Sequence, residues 1–232
     1  MMHVTFRVVG IEGSDQMYGR KTQEKRKSDE DWTEYDDRTW QQKLCRTGQQ
    51  KLWLDDQKLL VLSPFCVTNS LVEAAIWLDE ITIQVVRLSA GKLSGSKTFT
   101  TRFLSGITPG RAPEVFVRNG KGEWRRAEIK DVKPVTINVP ADGKRGSKKR
   151  VDRVFPALHN WAAEGDCYVW DELITKEVFT RHFETVGRFI GWGSMRRGGG
   201  GVNGSFTVAS LGFEAISGRD ATGPEPTRQD LT

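Results

Sequence analysis

The chain has 232 residues, 37% apolar, 28% charged and 9% aromatic, enough for one sizeable core or two small ones, which excludes a fibre, a peptide and a wholly disordered tail. No apolar run approaches the roughly 18 residues of a bilayer span and Met1 to Arg7 lacks a secretory apolar stretch, so a cytoplasmic, membrane-independent protein is expected. The formal net charge is +5, but the excess is local: 91–153 carries 16 basic and 6 acidic side chains, a surplus of 10 that suits a polyanion, with a solvated basic loop as the alternative.

In chain order, Val4 to Ile11 alternates with Val4, Phe6 and Val8 on one face, a first core strand that closes at Glu12-Gly13-Ser14. From Tyr18 to Asp37 charge dominates, which predicts a long excursion. Trp32, Tyr35 and Trp40 then mark a short helix running on to Leu44. A helix is expected from Asn69 to Leu78, capped by Thr68 or Asn69, with Leu71, Val72, Ala75, Ile76 and Leu78 as its apolar face. A short apolar piece, Ile81 to Leu88, precedes the basic region. Gly91 to Thr98 reads as flexible and cationic.

Val115 to Arg118 and Trp124 to Ala127 flank Asn119-Gly120, a dipeptide that favours tight hairpin turns, so a projecting basic hairpin is expected. Gly143 to Arg150 is too charged and glycine-rich to pack and should be an exposed loop. Cys167 to Trp170 reads as a strand. Thr175 then caps a helix from Lys176 to about Phe189, with Glu177 in its first turn and Val178, Phe179, His182, Phe183 and Val186 at helical spacing. Phe206-Thr207-Val208 begins a closing strand, and 217–232 should be a disordered tail. The pattern suits one α+β domain over 1–216: an antiparallel sheet with helices on one face, ferredoxin-like (RRM-like) in topology, with a basic insertion at about 91–153.

Between the last helix and the last strand, 187–206 holds nine glycine or asparagine residues interleaved with Arg188, Trp192, Arg196 and Arg197. Cationic donors, accessible backbone amides and a stacking ring are what a groove for single-stranded nucleic acid needs; a plain surface loop is the alternative. Ile190-Gly191-Trp192-Gly193, followed by arginines and a glycine before the strand, resembles the glycine-rich loop of the RAMP superfamily of CRISPR ribonucleoproteins.

The wider pattern resembles a group of uncharacterised bacteriophage and prophage proteins. Its features are Arg38-Thr39-Trp40, Ala74-Ala75, Lys97 to Thr100 with Phe103, 143–150, Phe155-Pro156 and Ile174-Thr175-Lys176. The resemblance implies a core that grips single-stranded DNA or RNA along its backbone and assembles into oligomers or filaments. The chain departs from the usual loop in the four glycines after Arg197, and it lacks the aromatic strand consensus of an ordinary RRM.

Other chemistries fit less well. Gly91-x4-Ser96-Lys97-Thr98 has serine where a phosphate-binding loop needs its second glycine, and no βαβ pattern surrounds it. His3, His159 and His182 share no metal-ligand spacing with one another or with Cys45, Cys66 and Cys167, which read as reduced and structural; neither a metal nor a cofactor is implied. His182 reads as a partly buried helix residue. Most of the eight tryptophans should pack internally, with Trp192 and Trp124 expected to face ligand.

The expected function is single-stranded nucleic-acid binding in phage replication, recombination or counter-defence. The expected contacts are Lys92, Lys97, Arg102, Arg125, Arg126, Lys144, Arg145, Lys148, Lys149 and Arg150 in the basic middle, and Arg188, Gly191, Trp192, Gly193, Arg196 and Arg197 in the glycine segment. The alternatives are a structural or protein-interaction subunit, and a metal-independent endoribonuclease for which no second catalytic partner is visible in the sequence.

Overall fold

A computed structural model describes residues 1–17, 53–90, 96–140, 150–193, 196 and 201–216. The excursion at 18–37, the helix expected around Trp32 to Leu44, most of the 143–150 loop and the tail from 217 lie outside them.

The alternation at the start of the chain forms β1, Met2–Gly10, with Val4, Phe6 and Val8 buried and Thr5 on the opposite face. It lies between β10 (Trp161–Val169) and β11 (Phe206–Ala215), antiparallel to both. β6 (Glu114–Arg118) pairs with the first half of β10, giving the order β11-β1-β10-β6. Beyond it β4 (Leu60–Val61) and β3 (Trp53–Leu54) extend the edge, while β5 (Ile107–Pro109) pairs with β10 and β7 (Trp124–Arg126) with β6. A second sheet of three strands joins β2 (Gln16–Met17), β9 (Arg150–Leu158) and β8 (Lys133–Pro140).

Among the described residues there are three α-helices: α1 (Cys66–Ala90), α2 (Ser96–Gly106) and α3 (Lys176–Thr185). Val67, Leu71, Ala74 and Ala75 of α1, and Phe179 and Phe183 of α3, pack with Val4, Phe6 and Val8 into one apolar core. The architecture is therefore α+β, with an antiparallel sheet as its main layer. No described helix is long and apolar enough to cross a membrane.

Thr175 caps α3 as its sequence suggests, its Oγ1 accepting from the Val178 N–H at 3.3 Å. His182 is a buried helix residue, packed against Phe99 and Phe103 with Nδ1–H donating to the Val178 carbonyl at 2.7 Å.

Several boundaries move. α1 opens three residues before Asn69 and runs through Ile81 to Leu88, so that apolar piece is helix; Ile76 is 58% exposed rather than part of the buried face. Lys97 and Thr98 belong to the first turn of α2, not to a flexible loop. The expected hairpin exists as β6–β7, but its turn spans Asn119 to Glu123. Asn119 Oδ1 accepts from Lys121 N and Glu123 N, and Gly122, not Gly120, takes the positive φ. β6 also sits inside the main sheet, so this hairpin does not project from the body.

Candidate nucleic-acid interface

Strand register brings several loops to one end of the main sheet. Gly10 faces Phe206, Val9 faces Ala162, and Val117 faces Trp161. The turns after β1 and β6, the β9–β10 turn and the segment entering β11 therefore share that end. The second sheet starts there as well, because Gln16 pairs with Leu158. β8 and β9 form an arm paired in register from Lys133↔Ala157 to Pro140↔Arg150, about 23 Å of strand at about 3.3 Å per residue. The segment 141–149, with Lys144, Arg145, Lys148 and Lys149, connects the far ends of this arm; Arg150 is the first residue of β9.

The glycine segment is anchored at its base by backbone packed on backbone. A π-turn, Val186–Ile190, extends α3 and closes where Gly191 N–H donates to the Val186 carbonyl at 2.7 Å. Trp192 N–H then donates to Gly204 O, and Gly204 N–H to Asp15 O, both at 2.9 Å. Ser14 Oγ accepts from Ser205 N–H and donates to the Val202 carbonyl, each at 2.8 Å, tying the segment to the turn after β1.

Gly191 and Gly204 adopt φ of 73° and 71°. A Cβ on Gly191 would meet the Gly204 and Asn203 backbone, and one on Gly204 the Trp192 carbonyl. The close approach that these two glycines permit is thus to the chain itself. Gly193, also at positive φ, is exposed.

Trp192 is buried, against the sequence expectation that it faces ligand. Its ring is 2% exposed and lies 4.4 Å from that of Phe206 and 5.9 Å from those of Phe6 and Phe183, with Nε1–H donating to Ser70 Oγ at 3.0 Å. Flanking glycines suggested exposure, but they let the backbone turn the indole inward instead. Trp124 is half-buried, and the Arg118 guanidinium lies 5.8 Å from its ring centre.

Four of the expected arginines pair with carboxylates. Arg102 donates to Asp171 Oδ2 at 2.7 Å. Arg125 grips Asp131 with both terminal nitrogens, Arg126 bridges Asp55 and Glu114, and Arg196 makes a two-pronged pair with Glu73 of α1. The Leu173 N–H and then Arg102 hold the Asp171 carboxyl below the usual carboxylate range, and Glu73 raises the pKa of Arg196. These four cations have carboxylate partners within the chain, which offset their charge. Arg188 is exposed on the π-turn. Lys92, Lys144, Arg145, Lys148, Lys149 and Arg197 lie outside the described residues, as do the side chains of Lys97 and Arg150.

Among the described residues, the sheet face opposite the helices mixes basic and acidic side chains. Register places Arg7 opposite Glu164 and His3 opposite Tyr168. Arg7 pairs with Glu164 at 2.8 Å. His3 stacks on Tyr168 with ring centres 4.8 Å apart, while its Nε2 lies 3.1 Å from Asp166.

Sequence reasoning missed one feature at the loop end: His159 is half-exposed, with Nδ1 2.6 Å from Asp15 Oδ1, the residue whose carbonyl holds Gly204. A sequence separation of 144 hides the pair. Among the described residues no group of three His, Cys, Asp or Glu side chains is placed to hold a metal ion. No family model matches the chain, and no curated protein matches it.

Proposed function

We propose that the protein binds single-stranded nucleic acid along its phosphate backbone, using the β8–β9 arm as a cationic finger beside the glycine-loop end of the sheet. The observation that carries this reading is the arm itself. Lys144, Arg145, Lys148, Lys149 and Arg150 are concentrated where a hairpin joins its two far ends, while four arginines of the body are neutralised internally. Such a cluster releases condensed counterions when it meets phosphates.

We take the core to be ferredoxin-like. The succession β1-α1-β6-β10-α3-β11 with sheet order β11-β1-β10-β6, all neighbours antiparallel, supports it. The RAMP-like character of the glycine segment and a phage origin belong to the same proposal, as does self-association along a strand longer than one subunit.

Salt-titrated fluorescence anisotropy on labelled single-stranded DNA and RNA tests it. Affinity should fall steeply with salt, and an absence of binding to either at low salt would end the proposal.

A second reading has one observation in its favour. The His159–Asp15 pair leaves Nε2 of a half-exposed imidazole available as a general base beside the glycine segment, as a metal-independent endoribonuclease would require. End-labelled RNA left intact by the parent protein in chelator would dismiss it, as would cleavage that survives His159→Ala.

A further inference from the structure

The described core buries most of its rings, yet Trp77 of α1 and Phe189 of the π-turn are 56% and 45% exposed. They lie nearly parallel, ring centres 5.8 Å apart and planes 12° from one another. We infer that this exposed pair, at the junction of α1 and the π-turn, is a nucleobase-stacking site for single-stranded nucleic acid. The inference rests on the nucleic-acid reading above and assigns it a second, non-electrostatic contact.

Local geometry sets the pair up. In an uninterrupted α-helix, residues three and four beyond Val186 would share its inward face. The π-turn inserts one residue per turn, so Val186, Gly187 and Ile190 stay buried while Phe189 is directed outward. Trp77 stands one helical turn beyond Glu73, whose carboxylate is neutralised by Arg196, and Arg188 is exposed next to Phe189 in the chain. Two π-faces with an exposed arginine beside them in the chain suit a base linked to phosphate.

The same features favour this pair over the His3–Tyr168 rings of the sheet face. There His3 lies 3.1 Å from Asp166 and 4.0 Å from Glu214, and carboxylates repel a phosphodiester. Trp77 and Phe189 also adjoin the glycine segment directly, since Phe189 is two residues from Gly191.

Stacking is independent of counterion release, which separates the two contacts experimentally. The probes are oligo(dT) and an abasic oligonucleotide of the same length and charge, each titrated into the full chain at one fixed low salt. Stacking on one base should make the parent prefer oligo(dT) by about 5- to 150-fold. Trp77→Ala with Phe189→Ala should erase that preference and leave the abasic affinity and the salt slope unchanged. Trp77→Phe should restore most of it.

Equal parent affinity for the two probes overturns the inference and leaves the backbone-binding reading standing. A preference that survives in the double variant but falls with His3→Ala and Tyr168→Ala also overturns it, by placing the stack on the sheet. A parent that binds neither probe removes both readings. The comparison of probes on the parent protein needs no variant, so a misfolded variant cannot obscure that outcome.

Discussion

Trp192→Ala separates a packing role from a ligand-facing one. The indole is 2% exposed and surrounded by Phe6, Phe183 and Phe206. Truncating such a side chain removes its transfer free energy and leaves a cavity that neighbours fill only in part, at about 3–5 kcal/mol. With a urea m-value of about 3 kcal/mol/M, the unfolding midpoint should drop by about 1–1.7 M. Trp192→Phe keeps most of the apolar contact and loses the indole N–H. Ser70 Oγ still donates to the Val67 carbonyl at 3.0 Å, so the cost should be about 1–2 kcal/mol. Far-UV circular dichroism during urea titration measures both variants without depending on the seven remaining tryptophans. Affinity of the folded Trp192→Phe protein for a labelled single strand should stay within about twofold of the parent. Parent-like midpoints together with lost binding would refute the packing argument and return Trp192 to the ligand.

Gly204→Ala forces a Cβ into the Trp192 carbonyl at φ 71°, whereas Gly13→Ala has a similar φ of 75° with nothing within 4 Å; thermal melts should show a loss of about 2–4 °C for the second and more than that for the first. A double-mutant cycle on Glu73→Gln and Arg196→Gln should give a coupling of about 1 kcal/mol or less, because the two side chains are 37% and 28% exposed; a coupling near zero would make the pair irrelevant to loop anchoring. Burial holds the His182 imidazole below its ordinary value near 6.5, so the unfolded chain takes up its proton first as pH falls. The stability owed to neutral His182 is complete above about pH 6.5 and lost as pH drops toward the folded-state value, and His182→Phe should flatten that limb of a plot of urea midpoint against pH. Sedimentation should show larger assemblies on long single strands, and a persistent monomer at saturation would contradict self-association.

What was legible in the sequence was local. Period-two burial of Val4, Phe6 and Val8 gave β1, the Thr175 hydroxyl gave the start of α3, and Asn119 marked the β6–β7 turn. The β3–β4 hairpin has no apolar alternation to mark it, although its turn is a local motif, with Asp55 Oδ1 accepting from Gln57 N and Leu59 N. The second half of α1 was hidden because Ile81, Ile83, Val85 and Val86 are β-branched and read as extended chain. The candidate site was harder still. Arg102, Arg126 and Arg196 meet acids 69, 71 and 123 residues away, so a charge count could not separate paired from outward-facing cations. The π-turn that exposes Phe189 and buries Ile190 leaves the helical periodicity it interrupts with no warning in composition.

The most direct measurement is the salt dependence of affinity in the parent and in a variant with Lys144, Arg145, Lys148, Lys149 and Arg150 all replaced by glutamine. Each phosphate contact on a single strand contributes about 0.7 to the slope of log Kobs against log salt. If the arm is the cationic finger, the five replacements should lower that slope by up to about 3.5, weaken binding at low salt and leave the urea midpoint unchanged. Identical slopes for parent and variant would place the phosphates elsewhere and contradict the role assigned to the arm.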